Sequence, residues 1–379
     1  MSGDVVEPTV ILLLGGRTTP TDGVYDYCVA LSAALERRDQ RAATVLLPWK
    51  EVGRVPAIVS LWRASRPWAR RWVLVQYTAL TWSRRGFPFL FLLVLGVLRA
   101  RGARIGVVFH DSGGHHGPRV VQWIRRAGQD WIMRRAYAAS ERSVLTVPLE
   151  RVLWLPRHPA RAVFIVVGPN IPATHPATSD ESRPAAPRHR VAGTGQGPRK
   201  KIVVFGITGG RCTQPEVDDI AFVLRHAAQD IPHLELVVLG AGSGDASAAL
   251  HAALEDVGVS VSVLGVVSAP EVARALGDAD VFLFVRGGIS SGRSSAIAAI
   301  AAGTPIVAYA GPATAPPITE AGILLAPERD RAALCSALSR LLSDDDLWHA
   351  LRRRNLEVYR RHFSWDAIAG RFVSEVTGG

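Results

Sequence analysis

The sequence predicts an α/β protein made of two doubly wound, parallel-sheet, Rossmann-like domains facing a cleft. Three observations point there. Apolar, β-branched runs of strand length alternate with helical-period stretches, as parallel strands buried on both faces do. A length of 379 residues suits two domains. A segment rich in Pro, Ser, Thr and Gly, without an apolar face, separates two such series. The expected division is 1–170, a flexible linker at 171–199, a second domain at 200–345, and C-terminal helices at 346–379.

In the first series Thr9–Leu14 is an unbroken apolar strand, and Val24–Arg37 carries apolar residues at helical spacing. Ala43–Leu47 and Trp72–Gln76 read as strands, Phe87–Arg101 as a helix, Ile105–Phe109 as a buried strand. Val120–Ala138 is a long Arg-rich helix, and short strands near Ser143–Val147 and Ala162–Val167 close the half. In the second series Ile202–Phe205, Leu234–Leu239, Val259–Leu264, Val281–Val285 and Pro305–Tyr309 are strands. Gln214–Gln229, Ala246–Val257, Ala269–Leu276, Ser294–Ala302 and Arg329–Ser343 are helices between or after them. The tail, Asp344–Val376, reads as helical, with Trp365, Ile368, Phe372 and Val373 making one apolar stripe.

Composition narrows the function classes. The chain is 48% hydrophobic and 20% charged, enough apolar material for real cores. Its net charge of +11 fits nucleic acid, an anionic membrane surface or a phosphorylated substrate. No nucleic-acid motif appears, so nucleic acid is not an expected partner. Cys28, Cys212 and Cys335 are too scattered for a disulfide framework or a zinc site, which fits a reducing cytoplasm. Asp111, His115 and His116 cluster, but adjacent histidines lack ligand spacing, and no metal is expected. The most apolar stretch, Phe87–Leu98, is too short to span a bilayer and is flanked by arginines, which suggests peripheral contact at an inner membrane face.

Doubly wound folds bind ligands beyond the carboxyl ends of their strands. Gly287, Gly288, Ser290, Ser291, Gly292, Arg293, Ser294 and Ser295 fill a strand-to-helix loop at such an end. Glycines let a ligand approach the backbone, free N–H groups at a helix start favour an anion, and a guanidinium grips phosphate oxygens. The reading is a diphosphate cradle. Gly15 and Gly16 follow the first strand, Thr21-Asp22-Gly23 precedes its helix, and His110 ends another strand. Gly206 and Thr208, Gly240-Ala241-Gly242 and Gly265-Val266-Val267 end strands of the second half.

Taken in order, these pieces resemble GT-B glycosyltransferases, specifically the retaining glycosyltransferase family 4 group. DGVYDYCVALSAALERR is similar to that family's first helix, KIVVFG and LELVVLGAG to the openings of its nucleotide-binding domain. DADVFLFVRGG followed by AAIAAGTPIVAY resembles its signature helix and strand, and FSWDAIAGRFVSEV its ending. The resemblance implies an acceptor-binding first domain, a second domain that binds a nucleotide-sugar, a C-terminal helix crossing back so that 346–379 packs on the first domain, retention, and no metal. The nucleotide-sugar, of UDP or GDP type, is a substrate, so no cofactor is implied. It implies His110 as a catalytic group. The family's Arg and Lys would fall near Ile207 and Cys212, neither a cation, and the loop geometry offers Arg211 and Arg293 as their catalytic replacements. Gly15, Gly16, Gly23, Gly206, Thr208, Gly288, Ser290, Ser291, Ser294 and Ser295 join Arg211 and Arg293 around the donor phosphates. Gly242, Val266 and Val267 lie toward the base, and Asp22, Asp26, Asp111 and His115 on the acceptor side. The family's glutamate pair would fall at Ser290 and Ala298, neither acidic. Competing readings are a related GT-B protein with non-sugar coupling chemistry and an inactive nucleotide-binding paralogue.

Overall fold

The computed structural model describes residues 8–16, 23–111, 113, 120–169, 171, 199–210 and 213–378. The chain forms two compact units, Met1–Asn170 with Trp365–Gly379, and Ile171–Ser364.

The first unit contains β1 (Val10–Leu14), α1 (Gly23–Glu36), β2 (Ala42–Leu46), α2 (Trp49–Val52), α3 (Arg54–Ala64), β3 (Trp72–Tyr77), α4 (Phe89–Ala100), β4 (Arg104–Phe109), α5 (Val120–Ala139), β5 (Arg142–Leu145) and β6 (Ala162–Phe164). Its sheet runs β2-β1-β3-β4-β5-β6, all parallel. Strands β1 and β3 are buried along their whole length, which is why their sequences carry no alternation. The chain order steps one way from β1 to β2 and the other way from β2 onward. Right-handed crossovers therefore put α1 on one face and α3, α4 and α5 together on the other. Helices α2 and α3 have no counterpart among the predicted elements, because Pro56 sits in the first turn of α3 and masks its helical period.

The second unit contains β7 (Lys200–Phe205), α6 (Thr213–Asp230), β8 (Leu234–Leu239), α7 (Ser243–Leu254), β9 (Ser260–Gly265), α8 (Ala269–Gly277), β10 (Val281–Phe284), α9 (Ser294–Ala302), β11 (Ile306–Tyr309), β12 (Ile323–Ala326), α10 (Arg331–Ser343) and α11 (Asp345–Val358). Its parallel sheet runs β12-β11-β10-β7-β8-β9, the dinucleotide-fold order, which reverses between β7 and β10. Helix ends are closed locally. Ser268 and Glu271 form a capping box on α8, Asp330 accepts from Ala333 N on α10, and Asp344 accepts from Leu347 N on α11.

The sequence places the start of the returning segment at 346, but the division into units falls later, at Trp365. Helix α11 stays in the second unit because its polar side chains are used there. Trp348 Nε1 donates to Asp280 O at 2.7 Å, and the fully buried Asn355 joins Gly322 N (2.7 Å) to Thr304 O (2.7 Å). The tail helix α12 (Trp365–Phe372) packs on α1 of the first unit with Ile368, Ala369 and Phe372 buried. The linker reading, apart from Ile171 and Arg199, lies outside the described residues.

Candidate active site

In the second unit the strands end in turns that demand glycine. Gly206, Gly240, Gly242, Gly265 and Gly287 all have positive φ. A Cβ on Gly206, after β7, would come within 2.8 Å of Arg286 Nη1, so the Arg286 guanidinium lies directly over that turn. Gly242 lies against the Ile207 carbonyl, so the turns after β7 and β8 touch through backbone alone.

The loop between β10 and α9 is stitched at close range. Gly288 packs on Gly311 with no room for a Cβ, Ile289 N donates to Tyr309 O at 2.9 Å, and Arg293 N donates to Ser290 O at 3.0 Å. Ser290, Ser291 and Ser295 are buried, and the Ser291 hydroxyl has no protein partner. Ser294 is exposed. Arg293 occupies the cap position of α9 and its side chain makes no capping bond. The serines are thus the first two residues of α9, and the helix start keeps its partial positive charge.

Two guanidiniums crowd that end. Arg286 Nε donates to the Thr208 hydroxyl at 3.4 Å, and Thr208 N donates to the buried Glu216 carboxylate at 2.8 Å. The surrounding protein and then the Arg286 charge hold the Arg293 pKa below the ordinary arginine value, with Glu216 opposing. Two mutually repelling cations beside an uncapped helix start are a site that an anion relaxes. It sits at the ends of β7 and β10, where the strand order reverses and ligands bind in such folds. Of the predicted phosphate residues, Gly206, Thr208, Gly288, Ser290, Ser291, Arg293, Ser294 and Ser295 gather on these two loops. Arg211 lies outside the described residues. Arg286 and Glu216 were not predicted. The signal for Arg286 was its place between the strand and Gly287. Gly242 and the exposed Val266 end β8 and β9, with Val267 next along the chain.

In the first unit His110 directly follows β4 and is half-buried. Gln76 Nε2 donates to Leu74 O at 3.0 Å, which leaves Gln76 Oε1 to accept from His110 Nε2 at 2.9 Å. That pairing selects the Nε2–H tautomer. The Tyr27 ring stands edge-on to His110, centroids 4.8 Å apart. The strand order of this sheet reverses between β1 and β3, and Gly15 lies there against the Thr81 carbonyl with no space for a side chain. A side chain on Gly16 would meet Lys50. Asp111 accepts from Ala79 N at 3.1 Å. Gly23 and Asp26 are exposed at the start of α1, while Asp22 and His115 lie outside the described residues. A cavity of about 500 Å³ lined by Trp72, Arg99, Arg104 and Arg142 lies at the opposite, amino-terminal end of the sheet and contains no predicted site residue. Among the described residues no group of three His, Cys, Asp or Glu gathers to hold a metal ion.

Residues 201–344 match the family model for glycosyl transferases group 1. The whole chain superposes on Anabaena HepE in complex with UDP and glucose, with a TM-score of 0.62 at 13% identity, covering 98% of this chain and 100% of that one. The chain has the GT-B glycosyltransferase fold. A glycosyltransferase from Rickettsia africae is similar at TM-score 0.62 and 11% identity, covering 96% of each chain. Sucrose-phosphate synthase from Thermosynechococcus elongatus is similar at 0.59 and 16%, again over 96% of each. No curated protein sequence matches this chain. The family match falls within the unit that carries the Arg286 and Arg293 cluster, so the partial family match and the anion geometry meet on the same residues.

Proposed function

We propose that this glycosyltransferase moves a sugar from a nucleotide-sugar, with retention and without a metal, to a small natural product or a cell-surface glycan precursor. The observation that carries the donor reading is the pair Arg286 and Arg293 at the uncapped start of α9, at the switch point of the second sheet. The diphosphate takes that end. Positive charge and helix N–H groups there stabilise the departing nucleotide as the glycosidic bond breaks, and Arg211 adds to them. His110, held as the Nε2–H tautomer by Gln76, is the group assigned to the sugar end. Retention rests on the resemblance to the retaining group. Support for a UDP donor comes from the HepE complex, which holds UDP and glucose. The same reading puts the enzyme in the cytoplasm, held peripherally at a membrane. No described helix is long and apolar enough to cross one.

One observation favours a second reading. Where related enzymes carry two glutamates, this chain has Ser290 and Ala298, both buried and unable to accept a sugar or ribose hydroxyl as a carboxylate does. A nucleotide-binding paralogue without transfer activity, or one coupling a non-sugar group, fits that change. A panel of UDP- and GDP-sugars separates the readings. A melting temperature that rises with one nucleotide-sugar, together with release of its nucleoside diphosphate, supports the transferase. Binding without release supports the paralogue.

A further inference from the structure

The face of the first unit formed by α3, α4 and α5 is unusual for a protein surface. Trp123 is 69% exposed and Phe89 57% exposed, and Val120, Ile124, Leu93 and Trp131 are exposed beside them. Along α5, Val120, Trp123, Ile124, Ala127 and Trp131 recur at three- and four-residue steps, so they lie on one side of the helix. The stripe continues into Arg134 and Arg135, and the Arg135 guanidinium lies 5.4 Å from the Trp131 ring centre. Phe89 of α4 meets Trp131 of α5 with ring centres 6.5 Å apart, so the two helices share one continuous apolar patch. Soluble proteins seldom leave such a patch open without a partner.

The charge around the patch selects the partner. From Val52 to His110 the chain has ten arginines and no aspartate or glutamate. Arg84 and Arg85 are exposed before α4, as Arg134 and Arg135 are at the end of the stripe. On α5 the one acid, Asp130, is paired to Arg126 at 3.9 Å. Exposed tryptophans and aliphatics ringed by arginines match a bilayer interface, where rings sit at headgroup level and guanidiniums reach lipid phosphates. Nucleic acid uses the arginines but leaves Val120, Ile124 and Leu93 in water.

We propose that the α4–α5 face docks this enzyme onto a bilayer rich in anionic lipid, with Trp123, Trp131 and Phe89 inserted among the headgroups and the flanking arginines on their phosphates. This deepens the peripheral membrane contact of the functional reading, yet it stands on surface residues remote in sequence from the donor loops. The two can therefore fail separately.

The test is co-sedimentation of the full chain with vesicles of phosphatidylcholine alone and with about one third phosphatidylglycerol. Binding is expected to the anionic vesicles, to weaken steeply with salt, and to be at least tenfold weaker to phosphatidylcholine. The double variant W123S/I124S should lose insertion, read as loss of tryptophan quenching by brominated lipid. R134E/R135E should lose roughly fivefold per charge or more. All four side chains are exposed, so the melting temperature should not move, and nucleotide-sugar binding measured on the same samples should be unchanged. Equal binding to both vesicle types, binding that both double variants retain, self-association through this face in place of vesicle binding, or capture of a random oligonucleotide with the vesicles left unbound would each overturn the proposal.

Discussion

Arg286 Nε donates to the Thr208 hydroxyl at 3.4 Å, so the loop after β10 reaches back over the turn after β7 although the two residues are 78 positions apart. Gly206 lies beneath that arm with a φ of 81°, a left-handed backbone that favours glycine. The contact places a cation at the point where the strand order of the sheet reverses.

It follows that Arg286→Ala should weaken nucleoside diphosphate binding by about 1.5–3 kcal/mol, the range for a charge-assisted hydrogen bond. Arg293→Ala should cost a similar amount, and the two losses should not add, since the remaining arginine loses its like-charged neighbour. Arg286→Lys should recover only part, because an ammonium lacks the planar fork. Calorimetry with UDP and GDP measures all three. Wild-type affinity in both alanine variants would rule out the phosphate role.

His110 is set by Gln76, whose own amide is fixed on Leu74 O. His110→Ala should lower turnover much more than nucleotide affinity, as expected for a contact to the transferred sugar. Gln76→Glu should raise the pKa of the imidazole by placing a carboxylate against Nε2, and so shift the acid limb of the rate profile upward. Single-turnover rates across about pH 5–9 give both answers. A profile unchanged by Gln76→Glu would show that His110 does not titrate in the reaction.

Burial, and next the neighbouring Cys28, raise the Tyr27 phenol well above its usual 10.0, and the hydroxyl has no partner. The folded state thus keeps the proton that the unfolded chain releases near pH 10. This contribution to stability is intact below pH 10 and is lost as pH rises beyond it. Tyr27→Phe should leave stability at neutral pH unchanged or raise it by up to about 1 kcal/mol, and should blunt the alkaline loss. Tyr77 titrates in the same direction, so some alkaline loss should remain. Urea midpoints at about pH 8 and 10.5 provide the comparison.

Much of the fold was legible because both sheets are parallel and covered, so strands such as Val10–Leu14 and Val281–Phe284 are unbroken apolar runs. Strand β12 escaped because four residues, ILLA, carry no distinguishing period, and α3 because of its early proline. The glycines and serines marked the β10–α9 loop as a candidate site. Arg286 had only its place before Gly287 to mark it, since nothing in the linear order shows that β7 and β10 are neighbours. Gln76 escaped for the same reason: it lies 34 residues from the histidine it holds. The return of the tail was legible from its stripe, but its starting point was not. That point depends on Asn355 bonding to Gly322 and Thr304, which no periodicity reveals.

The tail makes the last prediction. Four apolar side chains, Ile368, Ala369, Phe372 and Val376, are buried in the first unit. Trp365 Nε1 donates to Pro169 O at 3.0 Å, and Trp72 Nε1 donates to Thr377 O at 3.2 Å, so both ends of the segment are tied to that unit. Arg38 grips Asp366 with two bonds of 3.2 and 2.9 Å, but the pair is largely exposed and contributes at most about 1 kcal/mol. Burial should therefore outweigh charge. Phe372→Ala should destabilise by about 3–5 kcal/mol through lost contact and the cavity left behind, whereas Arg38→Ala should shift stability by less than 1 kcal/mol. Removing residues 365–379 should do more than either, exposing the apolar face of α1. Nucleotide affinity, which the proposed function assigns to Arg286 and Arg293 in the other unit, should survive in each variant under conditions where it stays folded. Denaturant unfolding beside calorimetry decides the matter. A Phe372→Ala variant as stable as the parent would show that the tail is not part of the core of the first unit.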